Sequence, residues 1–215
     1  MKSIASDYHP GSGAGSFFRL MNDIDLNPGI TIAPDGKCTD SSGAAASPCE
    51  WTAVGSMSAR FTGEFDGNGH TVRGVYIDKP GSDYQGLFGV IGSGGEVKDL
   101  TVKESFIRGG KYVGGVCGLN DGGTITNCTV SGRRDAGGVC GYNSGTITNC
   151  ISSGAVTSTG NVVGGVCGLN SATIKNCYYD STVYTGSGSG DAIGLPTATM
   201  TSTTALVGSG TYSTM

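Results

Sequence analysis

A chain of 215 residues with 40 glycines and a formal charge of −4 could hold one or two domains, but it is too rich in glycine for an ordinary compact globule. The glycines follow no G-X-Y period, which excludes collagen, and recurring Val, Ile, Cys and Tyr argue against a disordered chain. Lys and Arg number 13 against 17 Asp and Glu, with no long run of either sign, so there is no concentrated basic face and nucleic acid is not expected as a partner.

The chain opens on "MKSIASDYHPGSGAG", which lacks the apolar core of a signal peptide. No stretch carries the roughly 20 apolar residues of a membrane-spanning helix, so insertion into a membrane is not expected. Either the protein is cytosolic or this is a segment of a longer exported chain. The second is favoured, because "MKSIAS" reads as the end of something and "LVGSGTYSTM" stops without an evident cap. Residues 1–16 are therefore read as a truncated flank. "FFRLMNDIDLN" (17–27), "WTAVGS" (51–56) and "FTGEFDGNGHTVRGVYID" (61–78) then alternate apolar and polar residues between glycines, as short strands do. Between the first two lies "PGITIAPDGKCTDSSGAAASPCEW", a polar, Pro-bearing stretch that reads as a loop over about 28–50. Cys38 and Cys49 bracket it, and a disulfide closing the loop would suit an oxidising compartment.

From residue 81 the chain repeats itself. Leu87, Val116, Val139 and Val166 form one column, spaced by 29, 23 and 27 residues. Phe88, Cys117, Cys140 and Cys167 form the next; Val97, Ile125, Ile147 and Ile174 a third; Leu100, Cys128, Cys150 and Cys177 a fourth. Periods of 20 to 50 residues signal stacked units that complete one another's core. The apolar runs are three to five residues long and rich in Val, Ile, Thr and Tyr, too short for the helix that a helical or leucine-rich unit needs. The expected fold is all-β, a right-handed parallel β-helix (β-solenoid) with about three strands per coil. A single domain is expected over 17–185, with irregular first coils over 17–80 and regular repeats over 81–180; a Gly/Ser/Thr-rich segment fills 186–215.

The columns assign roles. Asp99, Asn127, Asn149 and Asn176 precede the fourth column in every copy and are expected at a corner, where Asn and Asp tolerate left-handed dihedrals and can hydrogen-bond along the stack. The pairs Gly114–Gly115, Gly137–Gly138 and Gly164–Gly165 mark another corner. Cys117, Cys140 and Cys167, with Cys128, Cys150 and Cys177, are expected as buried packing, because "GVCG" with ten or eleven residues to the next Cys lacks the CxxC spacing of metal and redox sites. Vertical disulfides within a column would leave one thiol of three unpaired.

"FDGNGH" (65–70) has the flavour of a calcium loop, but no bidentate acid follows at the required distance. His9 and His70 are the only histidines and lack a ligand arrangement around them. Arg133, Arg134 and Asp135 read as a solvated loop. No metal, cofactor or catalytic residue is expected. The acids from Asp66 to Asp135 fall in different columns, whereas a sugar-cleaving β-helix clusters them on one face.

The series "FRLMNDIDL" (18–26), "FTGEFDGNGHTV" (61–72), "GLFGVIGSGGEVKDLTV" (86–102) and the three "GGVCG" copies resembles bacterial surface proteins with GLUG-motif repeats, among them large adhesins and the region ahead of the protease domain in IgA-cleaving metallopeptidases. The resemblance covers most of residues 17 to 180. It implies an exported β-solenoid that displays or spaces other domains, without catalytic residues in the repeats; the zinc-protease motif HExxH is absent. The expectation is a non-catalytic adhesive or spacer module at the cell surface or outside the cell, acting as a monomer, with a host or environmental glycan or protein as partner. The alternative is a carbohydrate-binding or carbohydrate-cleaving β-helix, with Tyr112, Tyr142 and Tyr179 as exposed rings. A minor alternative is ice binding through the recurring "TIT" at 124–126 and 146–148.

Overall fold

Short β-branched runs closed off by Gly, Asn and Asp cannot continue into long strands, so each pairs with its equivalent one coil away. The computed structural model describes residues 15–134, 137–155, 163–184 and 192–200, leaving aside the side chains of Arg133 and Arg134. The expectations for His9, Asp135, nearly all of the N-terminal flank and much of the C-terminal segment lie outside the described residues.

Three parallel sheets form the faces of one solenoid. The first face stacks β1 (Phe17–Arg19), β5 (Glu64–Asp66), β9 (Glu96–Lys98), β12 (Thr124–Thr126), β15 (Thr146–Thr148) and β18 (Thr173–Lys175). The second stacks β2 (Ile24–Asp25), β6 (Thr71–Arg73), β10 (Thr101–Arg108), β13 (Thr129–Arg134), β16 (Ile151–Ser152), β19 (Tyr178–Asp180) and β20 (Ile193–Leu195), with β7 (Tyr76–Asp78) also on β10. The third stacks β8 (Phe88–Gly92), β11 (Cys117–Asp121), β14 (Cys140–Asn143) and β17 (Cys167–Asn170). The fold is the parallel β-helix expected from the repeats. β20 lies inside the segment read as a Gly/Ser/Thr-rich tail and adds a further rung. A short helix, α1 (Thr197–Met200), follows and buries Met200.

Inward positions make the core. Val97, Ile125, Ile147 and Ile174 line the first face and Val72, Val102 and Val130 the second, all buried; each such side chain is stabilised by about 1.5–3 kcal/mol on leaving water. The early coils are filled by aromatics instead: Phe88 packs against Phe61 with centroids 4.9 Å apart and meets Phe65 edge-on at 5.4 Å. Phe88 therefore heads the column that Cys117, Cys140 and Cys167 continue in register. At the glycine corner the next coil comes so close that a Cβ on Gly114 would lie 2.7 Å from Cys140 Cα and from Val139 O. Close approach, with no positive φ at that residue, fixes Gly114.

The loop over 28–50 contains an antiparallel hairpin, β3 (Thr31–Ile32) and β4 (Cys38–Thr39). Asn27, buried, clamps its base: Nδ2 donates to Gly74 O (2.7 Å) and Cys49 O (3.1 Å), and Oδ1 accepts from Cys49 N–H (2.6 Å). The hairpin turn lies against the solenoid at Gly36, where an added Cβ would sit 2.7 Å from Phe106 Cζ. Cys38 and Cys49 are free thiols in the structure rather than the expected bridge. Cys38 is buried with its Sγ 3.5 Å from Gly36 O, while Cys49 is exposed at the clamped exit.

Candidate functional site

The cysteine columns are the most conspicuous chemistry in the sequence, and both lie inside the coil. Cys117, Cys140, Cys167, Cys128, Cys150 and Cys177 have no solvent exposure. Cys117 Sγ stands 3.3 Å from Cys140 Sγ. Most of these thiols also have a local carbonyl: Cys140 and Cys167 donate to Tyr142 O and Leu169 O (3.0 and 3.1 Å). Cys128, Cys150 and Cys177 donate back to Thr126 O, Thr148 O and Lys175 O (3.4, 3.2 and 3.3 Å). Burial, reinforced by the Cys117 thiol, holds Cys140 well above the ordinary thiol range, and burial with the Cys128 thiol does the same for Cys150. Only the thiolate is a good nucleophile or metal ligand, and burial keeps reagents away from all six column thiols. In reduced native protein iodoacetamide should therefore modify Cys49 first, with the six column cysteines reacting only on unfolding. Peptide mass mapping checks this; rapid native labelling at Cys140 or Cys150 would contradict the packing.

Asp99, Asn127, Asn149 and Asn176 sit together at one corner, each with φ between 51° and 54°. They form a ladder: Asn127 Nδ2 donates to Asp99 Oδ1 (2.9 Å), Asn149 to Asn127 (3.1 Å) and Asn176 to Asn149 (3.2 Å). A second ladder was missed in the sequence. Asn120 Nδ2 donates to Asn143 Oδ1 (2.8 Å) and Asn143 Nδ2 to Asn170 Oδ1 (2.7 Å). Asn120 and Asn143 are fully buried, and both amides also donate to corner carbonyls. The signal was available, because each "GGVCG" copy has Asn three residues after its Cys. Ile91 pairs with Asn120 in the coil below, and Asn120 Oδ1 accepts from no group among the described residues.

The calcium-like "FDGNGH" is a corner. Asp66 Oδ1 accepts from Asn68 N–H (2.7 Å), and its Oδ2 pairs with Arg19 at 2.9 Å. His70 Nδ1 lies 3.2 Å from Asp23 Oδ1. Among the described residues no group of three or more His, Cys, Asp or Glu is placed to hold a metal ion. Three outward acids each meet one cation: Asp121 with Arg60, Asp78 with Arg108 and Glu64 with Lys98, at 2.7, 2.5 and 2.6 Å.

Two outward features remain. Tyr84, Tyr112 and Tyr142 form a row with centroids 5.5 and 5.4 Å apart, and both Tyr84 and Tyr112 adopt φ of 58°, uncommon for a bulky side chain. Tyr179 does not join them, in contrast to its expected exposure: it is buried, edge-on to Tyr184 at 5.8 Å, because Tyr178 and Tyr179 alternate and only one can face out. On the first face Thr124, Thr146 and Thr173 align, but Thr126 and Thr148 are followed by Lys175 and preceded by Lys98.

The family model for the GLUG motif matches residues 109–135, the stretch that runs from the Tyr112 corner through β11 and β12 into β13. The chain carries the GLUG motif. Over 72 residues, 34% of this chain, it is 42% identical to Halomucin of Haloquadratum walsbyi, and over 120 residues, 55% of this chain, it is 32% identical to a protein of Evansella cellulosilytica named as a Gly-rich membrane protein. The matched stretches cover only 1% and 12% of those relatives, so the chain spans a small part of their length. No solved structure gives a significant match. Among the described residues no helix is long and apolar enough to cross a membrane. In the repeats of this chain, the recurring Gly, Cys and Asn are the residues that let one coil sit on the next.

Proposed function

We propose that this chain is a non-catalytic module of a longer exported protein, a β-solenoid that spaces or presents adhesive surfaces outside the cell. The carrying observation is where repetition falls. The positions held constant from copy to copy are chiefly stacking positions in the core and at the corners, whereas the outward residues of the first face run from Glu96 and Lys98 through Thr124 and Thr126, then Thr146 and Thr148, to Thr173 and Lys175. Selection for a shared active site would repeat outward chemistry; selection for length repeats the inward chemistry. Each added coil lengthens the rod by about 4.8 Å and leaves its outer face free to vary.

The names of the relatives support a location at the surface, one being named Halomucin and the other a Gly-rich membrane protein. The pairing of Asp121, Asp78 and Glu64 with Arg or Lys supports a non-catalytic role for these carboxylates, since general acid–base chemistry needs a poised carboxyl group. The module acts as a monomer and meets a glycan or protein of its surroundings. Antibodies raised against residues 15–200 should label intact cells of the producing organism, and protease added outside should remove the label. Labelling that appears only after permeabilisation would overturn the reading.

A further inference from the structure

The insertion after β2 is a fixed arm, held at its base by Asn27 and at its turn by the Phe106 ring. Between the arm and the second face lies a cleft of about 410 Å³, within the range of pockets that take small ligands. Arg73 and Gly74 of the β6 end and Glu104 of β10 form its floor, Asp25 closes one side, and Ile30, Thr31 and Ser41 of the arm form the wall. A loop serving only as a connection would have no need of a clamp and a standing gap.

The floor carries a second unusual feature. β10 changes register between Val102 and Ser105, and at this bulge Glu104 has φ of 51°. The equivalent residue one coil below is Gly74, with φ of 72°, the residue type that takes this conformation without cost. Holding glutamate there is strained, and such strain is found where the side chain is needed in place. Its carboxylate pairs with Arg73 Nη2, and Asp25 Oδ2 lies 3.7 Å from Arg73 Nε. The side chains stay 37% (Asp25), 44% (Arg73) and 56% (Glu104) accessible, so lone pairs and N–H groups remain open to the cleft.

We propose that this cleft binds a neutral saccharide. Two carboxylates flanking one guanidinium make an acceptor–donor–acceptor row, which matches vicinal hydroxyls that both donate and accept. The row is net negative and its cation is already neutralised, which disfavours an acidic sugar; the guanidinium between the carboxylates disfavours a divalent cation. Ile30 opposite offers an apolar surface for the C–H face of a pyranose. The proposal supplies a ligand class for the surface module and rests on that reading for its biological setting. Binding by purified protein is measured independently of cell labelling, so either can fail alone.

The test is a titration of the purified chain, followed by amide NMR, with hexamers of β-linked glucose, mannose, xylose and N-acetylglucosamine, and with oligogalacturonate and calcium chloride for comparison. At least one neutral hexamer should shift the Thr31, Arg73 and Glu104 signals saturably below about 10 mM. Two variants decide the site. Glu104→Gly removes the carboxylate and relieves the backbone, so it should weaken binding about tenfold while the melting temperature holds or rises. Ser41→Trp should fill the cleft with the same loss of binding. The proposal is overturned if no neutral hexamer shifts these signals, if both variants bind like the parent, or if only oligogalacturonate or calcium binds.

Discussion

Replacing Cys150 with aspartate should lower the stability of the chain by roughly 3–5 kcal/mol, whereas Cys150→Val should cost only about 1 kcal/mol. Cys150 is the middle thiol of its column, fully buried, between Cys128 and Cys177 and within reach of Ile125 O. Valine keeps the volume and loses a weak S–H donation to Thr148 O. Aspartate adds an unpartnered carboxyl group. Burial would raise its folded-state pKa above the unfolded value of about 3.9, so the penalty should grow as pH rises above that value and shrink in acid. Urea melts of the two variants at pH 4 and pH 7 read both effects. An aspartate variant as stable as the parent at pH 7 would mean that the thiol column faces water.

Asn143→Leu should cost about 3 kcal/mol, against less than about 0.5 kcal/mol for Leu169→Ser on the exposed face. Asn143 is fully buried, and its amide joins two coils: it accepts from Asn120 Nδ2 and from Gly145 N–H, and donates to Asn170 Oδ1 and Thr173 O. Leucine fits the space but leaves Gly145 N–H without this acceptor and cuts the ladder in its middle rung. A urea melt compares the two variants; equal stability would show that the ladder adds nothing beyond filling space.

What could be read in the sequence is what stacking imposes on every coil. Val97, Ile125, Ile147 and Ile174 keep one inward position, and Asp99, Asn127, Asn149 and Asn176 keep one left-handed corner, so the repeat reports them directly. The Asn120 ladder repeats in the three "GGVCG" copies, but its column begins with Ile91 in the first coil, so the pattern does not extend over all four copies as the other columns do. Features that occur once leave no periodic trace. Asn27 clamps a loop whose two ends lie 22 residues apart, and nothing in its own neighbourhood announces that partner. Cys38 and Cys49 suggested a bridge through their spacing alone, which says nothing of a hairpin that turns one thiol inward and leaves the other exposed. The cleft beside Arg73 depends on that hairpin, and so it became visible only with the fold.

The solenoid depends on repeats stacking in one register, and a cross-link measures that directly. In a Cys49→Ser background, Thr126→Cys with Thr148→Cys places two half-exposed thiols on register partners whose native hydroxyls are 3.2 Å apart. Neighbouring strands lie about 4.8 Å apart, within disulfide range. A control pair, Thr126→Cys with Thr146→Cys, is displaced by one pleat repeat to about 8 Å, beyond that range. After mild oxidation and digestion, the first pair should appear as a linked peptide in high yield and the control should not. A linked control, or two pairs that close equally, would contradict the stacked register.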